Sequence, residues 1–551
     1  MKERSSSVRK GRLGIRILGT LGVAALVATA CGSSGKGSSS TTTPSGTTGK
    51  PVSGGNLVIG IDAEEPGLLP PYNTWDNDGA TYGNLLYDTI ASLGADGKYH
   101  PYLAQSIDHS ADYKTWTIKV RPNVKYSNGD PVTAQTFIDV IDGYRKGPIT
   151  ATAYGNITGE TKVDDMTLQV NMNLAWVPFD SYLAGIYMFD PSMLKDPTNS
   201  DHKPIGTGPF TLKEWIPGNH MTVVKNPNYW QAGLPYLDSV ELRPIVDRTA
   251  RASTLQAGTV PAIIMDDPET IANIRKFPNI KEFSEAKSPS RQEINFIMLN
   301  VGAPTFNDPN ARLAVAQATD KQAIIDTVYA GNTVPSNQIF NKSFPMNTGD
   351  SAGYPNFDLT AAKAAVKAYS DANGGKPLSF ELGTINDPKT LQAMQLVQSQ
   401  WQKAGMQVTL KQVEQSQYIG NALVGKYQAY EWRQFGEPDP DGDFVWWSTL
   451  TASPEGSIAL NFSRNKDPQI DHDLIKGRIS ADPAARKAAY QDIARLMNKD
   501  LPFIWIADIS WSTFYQPNIH GVVDWTLPDG SAGVNYTSGG VQQLGHWWMS
   551  K

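Results

Sequence analysis

Residues 380–410 read FELGTINDPKTLQAMQLVQSQWQKAGMQVTL, and this stretch decides the fold class. Phe380, Leu382 and Thr384 alternate as in a strand. Leu391, Met394, Val397 and Trp401 then recur at helical spacing, Gly405 stops the helix, and Met406, Val408 and Leu410 alternate again. A strand, a helix and a strand in that order predict two parallel strands joined by a right-handed crossover, and so an α/β protein.

The same reading extends both ways. Residues 312–330 carry Leu313, Ala316, Ile324, Ile325 and Val328 on one helical face, with Gly331-Asn332 as a stop. Residues 485–498 form another amphipathic helix, leading into an apolar strand at 503–506. The first half is richer in strands. Residues 57–61 are a short apolar run ended by Glu65-Pro66-Gly67, and Asp96-Gly97 marks a hairpin turn. Thr115–Val120 puts Trp116, Ile118 and Val120 on one face, and 162–170 is expected as a further strand. With 551 residues the chain has room for three or four structural units, and no internal repeat is visible.

The N-terminus is of a different kind. Residues 1–30 hold Lys2, Arg4, Arg9, Lys10, Arg12 and Arg16 against Glu3, followed by an uncharged run at 17–30. Fourteen residues are too few for a spanning helix, which takes about 20, so the pattern is a secretory signal. Subtracting this leader from the 48 cationic and 54 acidic side chains leaves a body with 42 against 53. An acidic body argues against nucleic acid as a partner, because phosphate binding needs clustered Lys and Arg.

Ala28-Thr29-Ala30 precedes Cys31, the only cysteine in the chain, which therefore forms no internal disulfide. This arrangement resembles the lipobox of bacterial lipoproteins, with Ala28 where Leu is commonest. It implies a lipid on Cys31 and an anchor on the extracellular face of the membrane. Residues 32–55 are almost entirely Gly, Ser, Thr and Pro, the composition of a flexible tether.

Four blocks of the body are more specific: YHPYLA at 99–104; WTIKVRPNVKYSNGDPVTA at 116–134; IGTGPF at 205–210 followed by KNPNYW at 225–230; and Asn300, Pro304, Phe306, Asp308 and Arg312 leading to Ala318-Thr319-Asp320-Lys321. In this order they resemble the family-5 extracellular solute-binding proteins, which include oligopeptide- and dipeptide-binding proteins. The resemblance implies a two-lobed periplasmic-binding-protein-like fold (type II, of the large cluster C kind) with an extra lobe inserted in the first. By analogy, 1–30 is the lipoprotein signal peptide and 31–52 the tether. Lobe I takes 53–93, 205–297 and 512–551, the extra lobe 94–204, and lobe II 298–511. It also implies a non-enzymatic, monomeric protein without cofactor that delivers its solute to ABC permease subunits served by separate ATPase subunits. Within the signature, Gly206, Gly208 and Pro209 suit a sharp backbone turn before a strand at 210–215, and Asp308 suits a helix N-cap.

Binding proteins of this kind close over their solute by hinge motion. In the peptide-binding members the ligand backbone bonds to strand edges, which gives affinity without selecting sequence. The matching strand here runs through Trp432, Arg433, Gln434 and Phe435 to Gly436 and Asp439. Trp432 is expected in the pocket or in the core, Arg433 against a ligand carboxylate or a protein acid, and Trp75 facing the cleft. Relatives place an Asp after the Trp to take the ligand's ammonium. Counting forward from Trp432 reaches Phe435, and counting back from Asp439-Pro440 reaches Gly436; neither is acidic, so Glu437 or Asp439 would have to substitute. A peptide is the leading ligand, and an oligosaccharide, which stacks on aromatic faces, is the alternative.

Two motifs point elsewhere. Gly349-Asp350-Ser351-Ala352-Gly353 matches G-x-S-x-G, the pattern of a surface serine hydrolase, but no apolar strand precedes it. Residues 439–443 resemble part of a calcium loop, with Ser448 where the bidentate Glu belongs, and helix capping near Phe444 is the preferred reading. The seven histidines are scattered without a zinc spacing, so no metal is expected.

Overall fold

The computed structural model describes residues 49–73, 77–148, 150–285, 292–434, 438–523, 525–534 and 539–551. The unit that decides the fold is there as strand Ser379–Ile385, helix Pro388–Lys403 and strand Gln407–Val413. Its strands are parallel, from Ser379 opposite Gln407 to Ile385 opposite Val413. Asp387 starts the helix by accepting the Thr390 N–H, and Pro388 fills the first turn, where no N–H is needed. The helix buries Met394, Val397 and Trp401 against the sheet.

Among the described residues, three sheets of four or more strands carry the body, beside two two-stranded ones. One has five strands in the order Gln407–Val413, Ser379–Ile385, Ala429–Gln434, Glu293–Leu299, Phe503–Ile509. Its first three are parallel, whereas Glu293–Leu299 runs antiparallel to both neighbours, so the sheet is mixed. A second has seven strands, Lys281–Ser284, Ser512–Tyr515, Ala262–Met265, Asn56–Ile61, Ser239–Pro244, His220–Lys225 and Phe210–Ile216. The third is antiparallel, with order Ala104–His109, Thr115–Val120, Thr167–Met172, Ile157–Asp164. Helix Ala134–Lys146 packs on it through Phe137, Val140, Ile141 and Tyr144, and a Thr133–Thr136 capping box closes the helix start. The five-stranded sheet has its own core, and the main core of the seven-stranded sheet is continuous with that of the antiparallel sheet.

Several expected elements shift. The run at 162–170 is two strands, because Asp164 accepts the Met166 N–H and turns the chain between them. The helix at 312–330 is Pro309–Ala318 and Lys321–Val328, since Asp320 leaves the helical path to cap the second piece through the Ala323 N–H. A lobe boundary between 297 and 298 would cut Glu293–Leu299, the whole of which belongs to the five-stranded sheet.

Gly206 and Gly208 are not in the left-handed region; their requirement is close approach. A Cβ on Gly206 would lie 2.1 Å from the Leu86 carbonyl oxygen, and one on Gly208 would lie 2.3 Å from the Leu86 carbonyl carbon. The Gly208 N–H also donates to the Leu86 carbonyl at 3.0 Å, so the backbones cannot part cheaply. Gly208→Ala is expected to cost about 1–3 kcal/mol through overpacking, read from the urea unfolding midpoint.

The chain passes between the seven- and five-stranded sheets twice, between 285 and 292 and again through Ser510-Trp511. Glu285, Gln292 and Glu293, at the two ends of the first passage, all contact the second. Glu285 accepts the Trp511 backbone N–H, Glu293 accepts the Trp511 indole N–H at 2.9 Å, and Gln292 donates to Ser510. Burial, with Glu293 nearby, pushes the Glu285 carboxyl up to about 8. A folded-state value raised above the unfolded one, about 4.3, means that the fold binds this proton more tightly, so its stabilising effect is lost as pH rises from about 4.3 to about 8. Urea midpoints should fall across that window, and Glu285→Gln should flatten the fall.

Candidate functional site

A cavity of about 450 Å³ opens between the antiparallel-sheet region and the five-stranded sheet. This lies within the range of about 300–1,000 Å³ usual for small-molecule sites. Tyr144, Tyr154, Tyr182 and Tyr187 form one wall; Trp432, Trp446 and Phe462 belong to the other.

Strand Ala429–Gln434 supplies the second wall. Along its length it pairs with Glu293–Leu299. On its other side the ladder to Ser379–Ile385 pairs only Ala429 and Tyr430, so among the described residues 432–434 have a strand neighbour on one side alone. Alternation sends Tyr430, Trp432 and Gln434 to one face and Glu431 and Arg433 to the other. Tyr418 stacks on Tyr430 (4.0 Å, 7°) and on Trp432 (5.6 Å, 9°), and Tyr427 extends the stack beyond Tyr430 at 4.7 Å. Phe462 meets the Trp432 ring edge-on at 5.3 Å. Tyr418 and Tyr430 are buried while Trp432 is partly exposed, which leaves it as the end of the stack at the cavity. Trp432 therefore both packs against the core of the five-stranded sheet and borders the cavity.

Arg433 meets a protein acid. Its Nη1 donates to Asp266 Oδ2 at 2.7 Å and stands 3.8 Å from Glu293. Asp266, only 1% exposed, also takes a bidentate pair from Arg248 at 3.0 and 2.9 Å and faces Arg251 at 3.8 Å. Burial opposes charge on Asp266, but Arg248 and Arg433 hold its carboxyl well below the usual range. Arg248 reaches Asp387 at 2.7 Å, so the cluster joins side chains of the seven-stranded region to those of the five-stranded one.

Gln434 and Asp439 border the cavity and are also committed. Gln434 donates to Asp443 at 2.6 Å. Asp439 caps the short 3-10 turn Pro440–Asp443 through the Asp441 N–H and pairs with Arg486 at 2.8 Å. It thus already has one cationic partner in Arg486. Trp75, Phe435, Gly436 and Glu437, and Cys31 with its leader and most of its tether, lie outside the described residues.

Across the cavity rim a second buried ion pair joins the walls. Arg478 Nε lies 3.0 Å from Asp441 Oδ1, and Arg478 Nη2 donates to the Tyr182 hydroxyl at 3.0 Å. The Trp176 indole donates to Asp441 Oδ2 at 2.8 Å, and the Tyr182 hydroxyl to the Asp441 carbonyl at 2.7 Å. The guanidinium lies 3.9 Å from the Phe444 ring centre and 4.6 Å from that of Trp176. Asp441 of the supposed calcium loop is thereby an ion-pair partner. Among the described residues no group of three or more His, Cys, Asp or Glu is placed to hold a metal ion. Ser351 lies in an irregular segment, with no strand leading into it and the next helix starting only at Leu359.

Sequence reasoning missed the tyrosine wall and Trp446. Helix Phe444–Trp447 splits its two tryptophans, burying Trp447 and turning Trp446 to the cavity. The wall comes from separate elements with no motif among them; the count of 22 tyrosines was the only signal.

Comparison with known proteins places these features in context. The model of the bacterial extracellular solute-binding proteins of family 5 matches residues 98–455. The glutathione-binding protein GsiB of Salmonella paratyphi A is 25% identical over 481 residues, covering 84% of this chain and 90% of that protein. The nickel-binding periplasmic protein of Escherichia coli is 26% identical over 463 residues, covering 80% and 86%. The oligopeptide-binding protein AppA of Bacillus subtilis, solved with a nonapeptide, superposes with a TM-score of 0.77 at 21% identity, covering 91% of this chain and all of that one.

Proposed function

We propose that this chain, which belongs to the bacterial extracellular solute-binding proteins of family 5, captures a short peptide between its lobes and delivers it to an ABC importer from a lipid anchor at Cys31. Binding a solute for an ABC importer is the family's role, and the named relatives are binding proteins. The observation that carries the peptide reading is the strand segment 432–434, which borders the cavity and, among the described residues, has a strand neighbour on one side only. An extended peptide can add to such an edge through its backbone. Lobe I is drawn from 53–93, 205–285 and 512–551, the extra lobe from 94–204, and lobe II from 292–511, with the contacts of Glu285, Gln292 and Glu293 to Ser510 and Trp511 at the hinge. The anchor rests on Cys31 and the residues flanking it.

The test is calorimetric titration of the purified chain with pools of di- to pentapeptides, with mass spectrometry of small molecules released on denaturation. Saturable binding of peptides supports the reading; no binding to any pool overturns it. An oligosaccharide is the second reading, favoured by the aromatic walls, and selective binding of a glycan pool would decide for it. For the anchor, radiolabelled fatty acid should enter the chain in cells and fail to enter Cys31→Ser.

A further inference from the structure

The rings of Tyr427, Tyr430, Tyr418 and Trp432 form one stack, and its end alone is partly exposed. Tyr418 lies nearly parallel to both neighbours, within 7° and 9°. Tyr418 lies nearly parallel to Trp432 and Phe462 roughly perpendicular to it, and the partly exposed Trp432 borders the cavity. Among the described residues, the charged side chains bordering the cavity are Arg433, held by Asp266 and Glu293, and Asp439, held by Arg486. Gln434, next along the same strand face, is held by Asp443. A charged ligand side chain placed here meets no unpaired charge among the described residues lining the cavity, whereas a flat uncharged ring can extend the aromatic stack.

We infer that the Trp432 face is a specificity subsite for a planar, uncharged side chain, so that the preferred peptides carry an aromatic residue there. The inference rests on the peptide reading above and adds the class of side chain. Strand-edge bonding is indifferent to sequence; the stack would supply the selection.

The test compares four tripeptides, Ala-Phe-Ala, Ala-Leu-Ala, Ala-Lys-Ala and Ala-Asp-Ala, by calorimetry on the full chain solubilised in detergent. Ring stacking predicts Phe over Leu by about two- to tenfold, and Phe over Lys or Asp by more than about tenfold. Trp432→Leu should abolish the Phe-over-Leu preference, and Trp432→Phe should retain part of it. Equal affinity for the Phe, Lys and Asp peptides would overturn the inference and leave the peptide reading standing, as would a preference untouched by Trp432→Leu. Binding of none of the four, together with no binding in the wider pools, overturns the peptide reading and this one with it. The wild-type comparison stands on its own should a variant fail to fold.

Discussion

Replacing Asp266 with alanine is expected to lower the unfolding free energy by about 3–5 kcal/mol, the usual cost of removing one partner from a buried ion pair. The reason lies in numbers of partners. One carboxylate, 1% exposed, serves Arg248 and Arg433 directly and stands 3.8 Å from Arg251, itself fully buried. Its loss leaves three guanidiniums near one another, with Glu293 and Glu431 beside Arg433 and Asp387 and Asp62 beside Arg248 as remaining counter-charges. Asp266→Asn keeps the shape but not the charge and should be nearly as damaging. Urea unfolding of the purified variants reads both. A loss below about 1 kcal/mol would mean that water reaches the cluster and screens it as it does surface pairs. The cluster also joins the two main sheets, so the variants should weaken ligand binding even where they remain folded.

Arg478→Met is the second large effect. The methionine preserves much of the apolar contact with Phe444 and Trp176 while removing the charge opposite Asp441. Burial already pushes the Asp441 carboxyl above its ordinary range, and without Arg478 the Trp176 indole is its one side-chain donor among the described residues. The expected cost is again about 3–5 kcal/mol. Its distribution should differ from that of Asp266, because these contacts link Trp176 and Tyr182 with Asp441 and Arg478 across the cavity rim. Part of the loss falls on closure. When the closed form becomes a minor population, apparent affinity drops by the same fraction, tenfold for each 1.4 kcal/mol. Calorimetry with a bound peptide should show weakening of at least about tenfold, while the helix content of the free chain by circular dichroism stays the same. Unchanged affinity would show that the pair holds local structure only.

What the sequence disclosed, and what it withheld, follows the range of the interactions. Strand Thr115–Val120 was legible because Trp116, Ile118 and Val120 alternate toward one buried face. The strand–helix–strand unit was legible because its cap, helix and stop are local. The break at Thr319–Asp320 was hidden, since Asp320 decides between continuing one helix and capping the next by a side-chain hydrogen bond. The same limit applies to the site. Trp432 stood out through a resemblance, but the partners of Arg433 and Asp439 lie at 266, 293 and 486, and no spacing rule connects them. The tyrosines of the opposite wall come from separate elements, which only the packed fold brings together.

The position of strand Ser512–Tyr515 bears on the order in which the chain acquires its structure. This strand lies between Ala262–Met265 and Lys281–Ser284 and bonds to both. Neither earlier strand can complete its pairing until the polypeptide through residue 515 has been made. Meanwhile Glu293 pairs with Ile509, so the intervening segment draws its own two ends together as it folds. That local event shortens the loop the first sheet must close and reduces its entropic cost. The five-stranded sheet should therefore mature first, and the sheet containing the earliest-made strand, Asn56–Ile61, should be completed last.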